Sequence, residues 1–96
     1  MDDILWTEPA LEDLEEIGSF LAGHNRQAAE HAVRRIVESV AALSYHPRMG
    51  RVGRVADTRE LVVRGTRYLV VYRLRERIEV VAVLHGARLW PDQFEA

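Results

Sequence analysis

The chain has no cysteine, no lysine and no hydrophobic run near the length of a membrane span, and each absence removes a class of function. Without cysteine there is no disulfide framework, no thiolate nucleophile and no thiolate metal site. His24, His31, His46 and His85 are scattered rather than spaced as ligands, so neither a metal nor a cofactor is expected. A bilayer-spanning helix needs about 20 consecutive apolar residues; none is present, and no membrane partner is expected. The opening Met1-Asp2-Asp3 is acidic where a secretory signal would be basic, which makes the cytoplasm the expected location. Ninety-six residues suffice for one core and not two, so a single domain over 1–96 is expected.

A formal net charge of −2 conceals two unlike halves. Through Pro47 the balance is −6, and from Arg48 onward it is +4. Such a split fits one surface that meets an anion or an acidic partner and another that stays solvated. Every one of the 13 basic residues is arginine, whose planar fork suits carboxylate and phosphate. Codon bias gives the same composition, and the sequence does not separate the two causes.

Ile4, Leu5 and Trp6 form a short apolar run that predicts a strand. Thr7 can cap a following helix, with Glu8 and Pro9 in a first turn that tolerates negative charge and a missing N–H. Leu11, Leu14, Ile17, Phe20 and Leu21 recur at helical spacing, while Glu12, Asp13, Glu15 and Glu16 fall on other faces. Gly23 ends this helix and Asn25 can cap a second, whose stripe runs Ala29, Ala32, Val33, Ile36, Val37, Val40 and Leu43 up to Pro47. The short connection predicts an antiparallel helical hairpin. The stretch 46–57, with Gly50, Gly53, Arg48, Arg51 and Arg54, is expected to be a mobile, exposed, positively charged loop. Its glycines are not placed to cradle a phosphate before a helix.

From Arg59 the period changes to two. Tyr68, Val70, Tyr72 and Leu74 should share one strand face, and Ile78, Val80, Ala82 and Leu84 should alternate with Glu79, Val81, Val83 and His85. Gly65-Thr66 and Arg75-Glu76-Arg77 are the hairpin turns. The fold class that follows is α+β: a short N-terminal strand and an antiparallel helical hairpin packed on a small antiparallel β-sheet.

This ordered set, with a Pro-Arg-x-Gly-Arg turn at 47–51, an Arg-Glu-Leu strand at 59–61, the Tyr-x-Val-x-Tyr strand at 68–72 and Val-Leu-His-Gly-x-Arg at 83–88, resembles the ParE branch of the RelE/ParE toxin superfamily over nearly the whole chain. The resemblance implies the toxin of a bacterial type II toxin–antitoxin pair, held by a cognate antitoxin in a hetero-oligomer. ParE-like members inhibit DNA gyrase and block replication. RelE-like members instead cut messenger RNA on the ribosome, chemistry that needs a base, an acid and cations around one phosphate. Aligned through the tyrosine strand, a RelE-type arginine is replaced by Leu69, and the tail after Arg88 has no tyrosine or histidine. The implied target is therefore gyrase, with a ribosome-dependent endoribonuclease as the alternative. In that alternative the catalytic set is Arg59, Arg64, His85 and Arg88.

The residues expected to bind target or antitoxin are Arg59, Arg64, Arg67, His85, Arg88, Trp90 and Phe94. Each has a structural counterpart reading. The arginines are either a partner surface or the charged edge that discourages sheet aggregation. His85 is either a contact residue or a structural histidine satisfied by a backbone carbonyl. Trp90 and Phe94 either fold back on the sheet or anchor a partner. Tyr68, Tyr72 and Trp6 are expected in the core.

Overall fold

The computed structural model describes residues 3–86, so Arg88, Trp90 and Phe94 lie outside the described residues. The elements run β1 (Ile4–Trp6), α1 (Glu8–Ala22), α2 (Arg26–Ala42), β2 (Arg51–Val52), β3 (Arg59–Val62), β4 (Tyr68–Leu74) and β5 (Ile78–His85). The helical hairpin packs on one face of a five-stranded sheet of order β1-β5-β4-β3-β2. Strands β3 to β5 form the expected antiparallel ladder, and β2, within the stretch expected to be a loop, adds an antiparallel edge to it. The first strand pairs with β5 in parallel, so the sheet is mixed. A three-residue run carries no signal of its partner, which the sequence places more than 70 residues away.

Both helix starts are as the sequence predicts. Thr7 Oγ1 accepts the Ala10 N–H at 3.4 Å, and Asn25 Oδ1 accepts the Ala28 N–H at 3.1 Å. Thr7 also donates its hydroxyl to the Val80 carbonyl at 2.8 Å, while its own N–H reaches the same carbonyl at 3.1 Å. The N-cap thus joins α1 to β5. Gly23 ends the helix in a right-handed conformation and donates its N–H to Ser19.

The core joins Ala10 of α1 and Ile36, Val40 and Leu43 of the second helical segment to Leu61, Val63, Val70, Tyr72, Ile78, Val80 and Val83 of the sheet side. Ile4, Trp6, Leu14, Ile17, Tyr68 and Leu74 pack against it. Burying such side chains contributes about 1.5–3 kcal/mol each before entropy is counted. Phe20, placed on the buried stripe by spacing alone, is instead 63% exposed at the end of α1.

A bulge decides which face His85 occupies. Val71 pairs with Ala82 but Tyr72 pairs with Val80, leaving Val81 unopposed. One extra residue reverses the side-chain parity beyond it. The helix-facing row is therefore Ile78, Val80, Val83 and His85, opposite Leu74, Tyr72, Val70 and Tyr68. Strict alternation had put Val83 and His85 on the other face. Near the bulge, Asp13 Oδ2 accepts the Val83 N–H at 3.0 Å; this carboxylate, expected on the solvated side of α1, serves the sheet instead.

Candidate functional site

The arginine-rich segment after α2 is pinned from beneath by the core. Tyr72 is fully buried, and its hydroxyl donates to the Pro47 carbonyl at 2.8 Å and accepts the Gly50 N–H at 2.9 Å. Burial raises the phenol pKa above its usual 10.0, against smaller lowering contributions from the Gly50 N–H and the Arg59 charge. A Cβ on Gly50 would stand 2.8 Å from the Tyr72 ring and 2.9 Å from the Glu60 carbonyl, so the close approach requires glycine. Arg59 donates to the Gly50 carbonyl at 2.8 Å and, more weakly, to the Arg48 carbonyl at 3.4 Å. A guanidinium read as a partner contact thus braces the loop.

Glu60 is the one buried charged residue among those described, only 2% exposed. Its carboxylate accepts from Arg51 Nε at 3.1 Å and from the Arg54 backbone N–H at 2.9 Å. Both oxygens are satisfied, which is the condition for burying a carboxylate at tolerable cost. The segment expected to be mobile is therefore held by Tyr72, Arg59 and Glu60, and it contributes the edge strand β2. Only Arg51 and Val52 pair there, with Glu60 and Arg59.

Between α2 and β3 lies a groove of about 530 Å³, lined on the helix side by Arg35, Ser39 and Ala42 and on the sheet side by Leu61, Val62 and Arg64. Arg35 donates to the Arg64 carbonyl at 3.2 Å and lies 3.6 Å from the Glu38 carboxylate. Arg64 and Arg67 are exposed and form no ion pair among the described residues. A second groove, about 440 Å³, opens where the end of α1 and the start of α2 meet the β3–β4 turn, and includes Phe20, His31, Arg67, Tyr68 and His85. Gly65 turns this corner at φ +81°, a conformation natural to glycine.

His85 packs edge-on against Tyr68, with ring centroids 5.4 Å apart. Its Nδ1 is buried and meets no hydrogen-bond partner, the carbonyl expected for a structural histidine included, among the described residues. The described members of the sequence-derived set, Arg59, Arg64, Arg67 and His85, fall into separate places. Arg59 stands opposite Tyr72 on one side of β4, and His85 stands opposite Tyr68 on the other. Four residues of strand are about 13 Å, and two strand spacings add about 9–10 Å across the sheet. Arg64 borders the α2–β3 groove, whereas Arg67 and His85 border the second one. The sequence reading missed Glu60 and Asp13 as organisers; Glu60 leaves the trace of a lone acid between Arg59 and Leu61, whereas Asp13 is lost among Glu12, Glu15 and Glu16.

Three comparisons give this arrangement a context. The family model described as "ParE toxin of type II toxin-antitoxin system, parDE" matches residues 4–90. A Sinorhizobium fredii protein called "Putative toxin Y4kP" is 40% identical over 93% of both chains. "Toxin RelE2" of Caulobacter vibrioides is 30% identical over 93% of this chain and all of its own. The solved structure "Chromosomal ParDE TA system from P. aeruginosa" superposes with a TM-score of 0.81 at 25% identity, covering 88% of this chain and 96% of that one. The order of elements, the helical hairpin on a mixed sheet and the match across residues 4–90 agree: this chain belongs to the ParE toxin family of type II toxin–antitoxin systems.

Proposed function

We propose that this toxin arrests growth in the bacterial cytoplasm by binding DNA gyrase as a protein ligand, and that a cognate antitoxin silences it by forming a complex. The observation that carries the choice of target is the dispersal of Arg59, Arg64 and His85. In-line cleavage of RNA requires its base, acid and cations within hydrogen-bond reach of one phosphate. Here Arg59 is occupied by the carbonyls of the loop, and His85 lies roughly 16 Å away by strand geometry. Exposed arginines on a braced surface instead suit the carboxylates of a protein partner.

The ribonuclease alternative draws support from the 30% identical relative named as a RelE toxin and from the unsatisfied His85 Nδ1 in the second groove. Pulse-labelling in the first minutes after inducing the chain alone separates the readings. Loss of DNA synthesis before protein synthesis is expected. Loss of translation first would sink the gyrase reading and make His85 and Arg67 an active site to mutate. Continued synthesis of both would remove the toxin activity itself.

A further inference from the structure

We propose that the groove where the helical hairpin meets the β3–β4 turn is a binding site for a small aromatic acid, a flat apolar body carrying one carboxylate. The site lies beyond the toxin reading above and does not depend on it.

The turn builds the site. Thr66 Oγ1 donates to the Val63 carbonyl at 2.8 Å and accepts the Tyr68 N–H at 3.1 Å. The Gly86 N–H donates to the Arg67 carbonyl at 2.9 Å, and the register sets His85 opposite Tyr68. Arg67, Tyr68 and His85 are thus fixed beside one another by backbone bonds. From the helix side His31 approaches the same turn, its Nε2 3.8 Å from the point where a Cβ on Gly65 would stand. The groove encloses about 440 Å³, within the range of small-ligand sites.

Its lining defines the ligand. Phe20, Leu21, Ala28 and Ala32 make an apolar wall, and Phe20, left out of the core, offers a ring at the groove, as does Tyr68. Facing them are side chains that donate: His31, Arg67, Tyr68 and His85. The polar atoms of these side chains have no hydrogen-bond or ion-pair partner among the described residues. No aspartate or glutamate lines the groove, whereas in the α2–β3 groove Glu38 and Glu60 engage Arg35 and Arg51.

His85 narrows the choice further. Its Nδ1 is buried without a partner, which leaves Nε2 as the accessible nitrogen. A proton on Nε2 avoids a stranded buried N–H and presents a neutral donor to the groove. Arg67 adds the charge and a planar fork that fits a carboxylate. Among the described residues no three His, Asp or Glu are grouped to hold a metal ion, so the pair of histidines suits an anion.

The test is an amide NMR titration of the whole chain with phenylacetate, its neutral counterpart phenylacetamide, and acetate. Phenylacetate should give saturable shifts centred on Ala28, Gly65, Arg67 and His85, with a dissociation constant in the millimolar range or below. Phenylacetamide should bind about tenfold more weakly, the worth of one charge-assisted hydrogen bond, and acetate should give no saturable shift. Arg67→Gln, an exposed change, should weaken phenylacetate by about the same factor. The imidazole nitrogen resonances of His85 should report a proton on Nε2 and should move at that nitrogen on binding, which a merely structural histidine would not do. Absence of saturable shifts, equal binding of acid and amide, or affinity unchanged in Arg67→Gln overturns the proposal. A short single-stranded RNA that shifts these residues where phenylacetate does not would overturn it as well, and would assign the groove to the ribonuclease alternative.

Discussion

The Tyr72 hydroxyl is where the core meets the arginine loop, and its two hydrogen bonds make it the residue whose loss should be felt most beyond its size. Tyr72→Phe keeps the ring but leaves the buried Gly50 N–H without its acceptor. An unmet buried donor costs about 1–3 kcal/mol, and chemical denaturation should show a loss of that order. The raised phenol pKa sets a matching pH dependence. The folded chain holds the proton more tightly than the unfolded chain, so this contribution is fully present below about pH 10. It should fall as pH rises from there through the folded value, and Tyr72→Phe should shallow that alkaline decline. The periodicity announced Tyr72 as a core residue; its hydroxyl partners were not legible, because Pro47 and Gly50 come beside it only after the loop folds back across the sheet.

At the scale of elements, α1 is tied to β5 beyond the reach of β1. The first strand covers Ile78 to Val80, after which Thr7 and Asp13 take the Val80 carbonyl and the Val83 N–H. Asp13→Ala should therefore cost about 1–3 kcal/mol, whereas Glu12→Ala, on the exposed face of the same helix, should stay within about 0.5 kcal/mol. Equal effects in thermal unfolding would contradict the tie. Both N-caps and the end of α1 were legible, since caps and apolar spacing are local, whereas α2 stops at Ala42, short of the expected Pro47. The bulge at Val71 and Tyr72 was not: a single extra residue in a run of valine and alanine changes no local preference, yet it moves His85 to the helix side. Reading the strand by twos is correct only up to such a point.

For the whole molecule, the division into an acidic helical half and a basic sheet half survives folding as a braced, arginine-bearing surface beside the α2–β3 groove. Association with an acidic partner should weaken severalfold as salt is raised from about 0.05 M to 0.5 M, because exposed charges separated by more than a Debye length are screened. Salt-independent affinity would assign the surface to apolar contact alone. The family was legible because the order and spacing of several weak motifs run through nearly the whole chain; the candidate site was legible only in composition, since charge counting does not distinguish Arg59, which braces a loop, from Arg64, which has no carboxylate partner among the described residues. The central claim is tested most directly by DNA supercoiling with purified gyrase, titrated with this chain in the presence and absence of its antitoxin. The account predicts inhibition that rises with toxin concentration and is relieved by stoichiometric antitoxin. Undiminished supercoiling at a large excess of folded chain would contradict it.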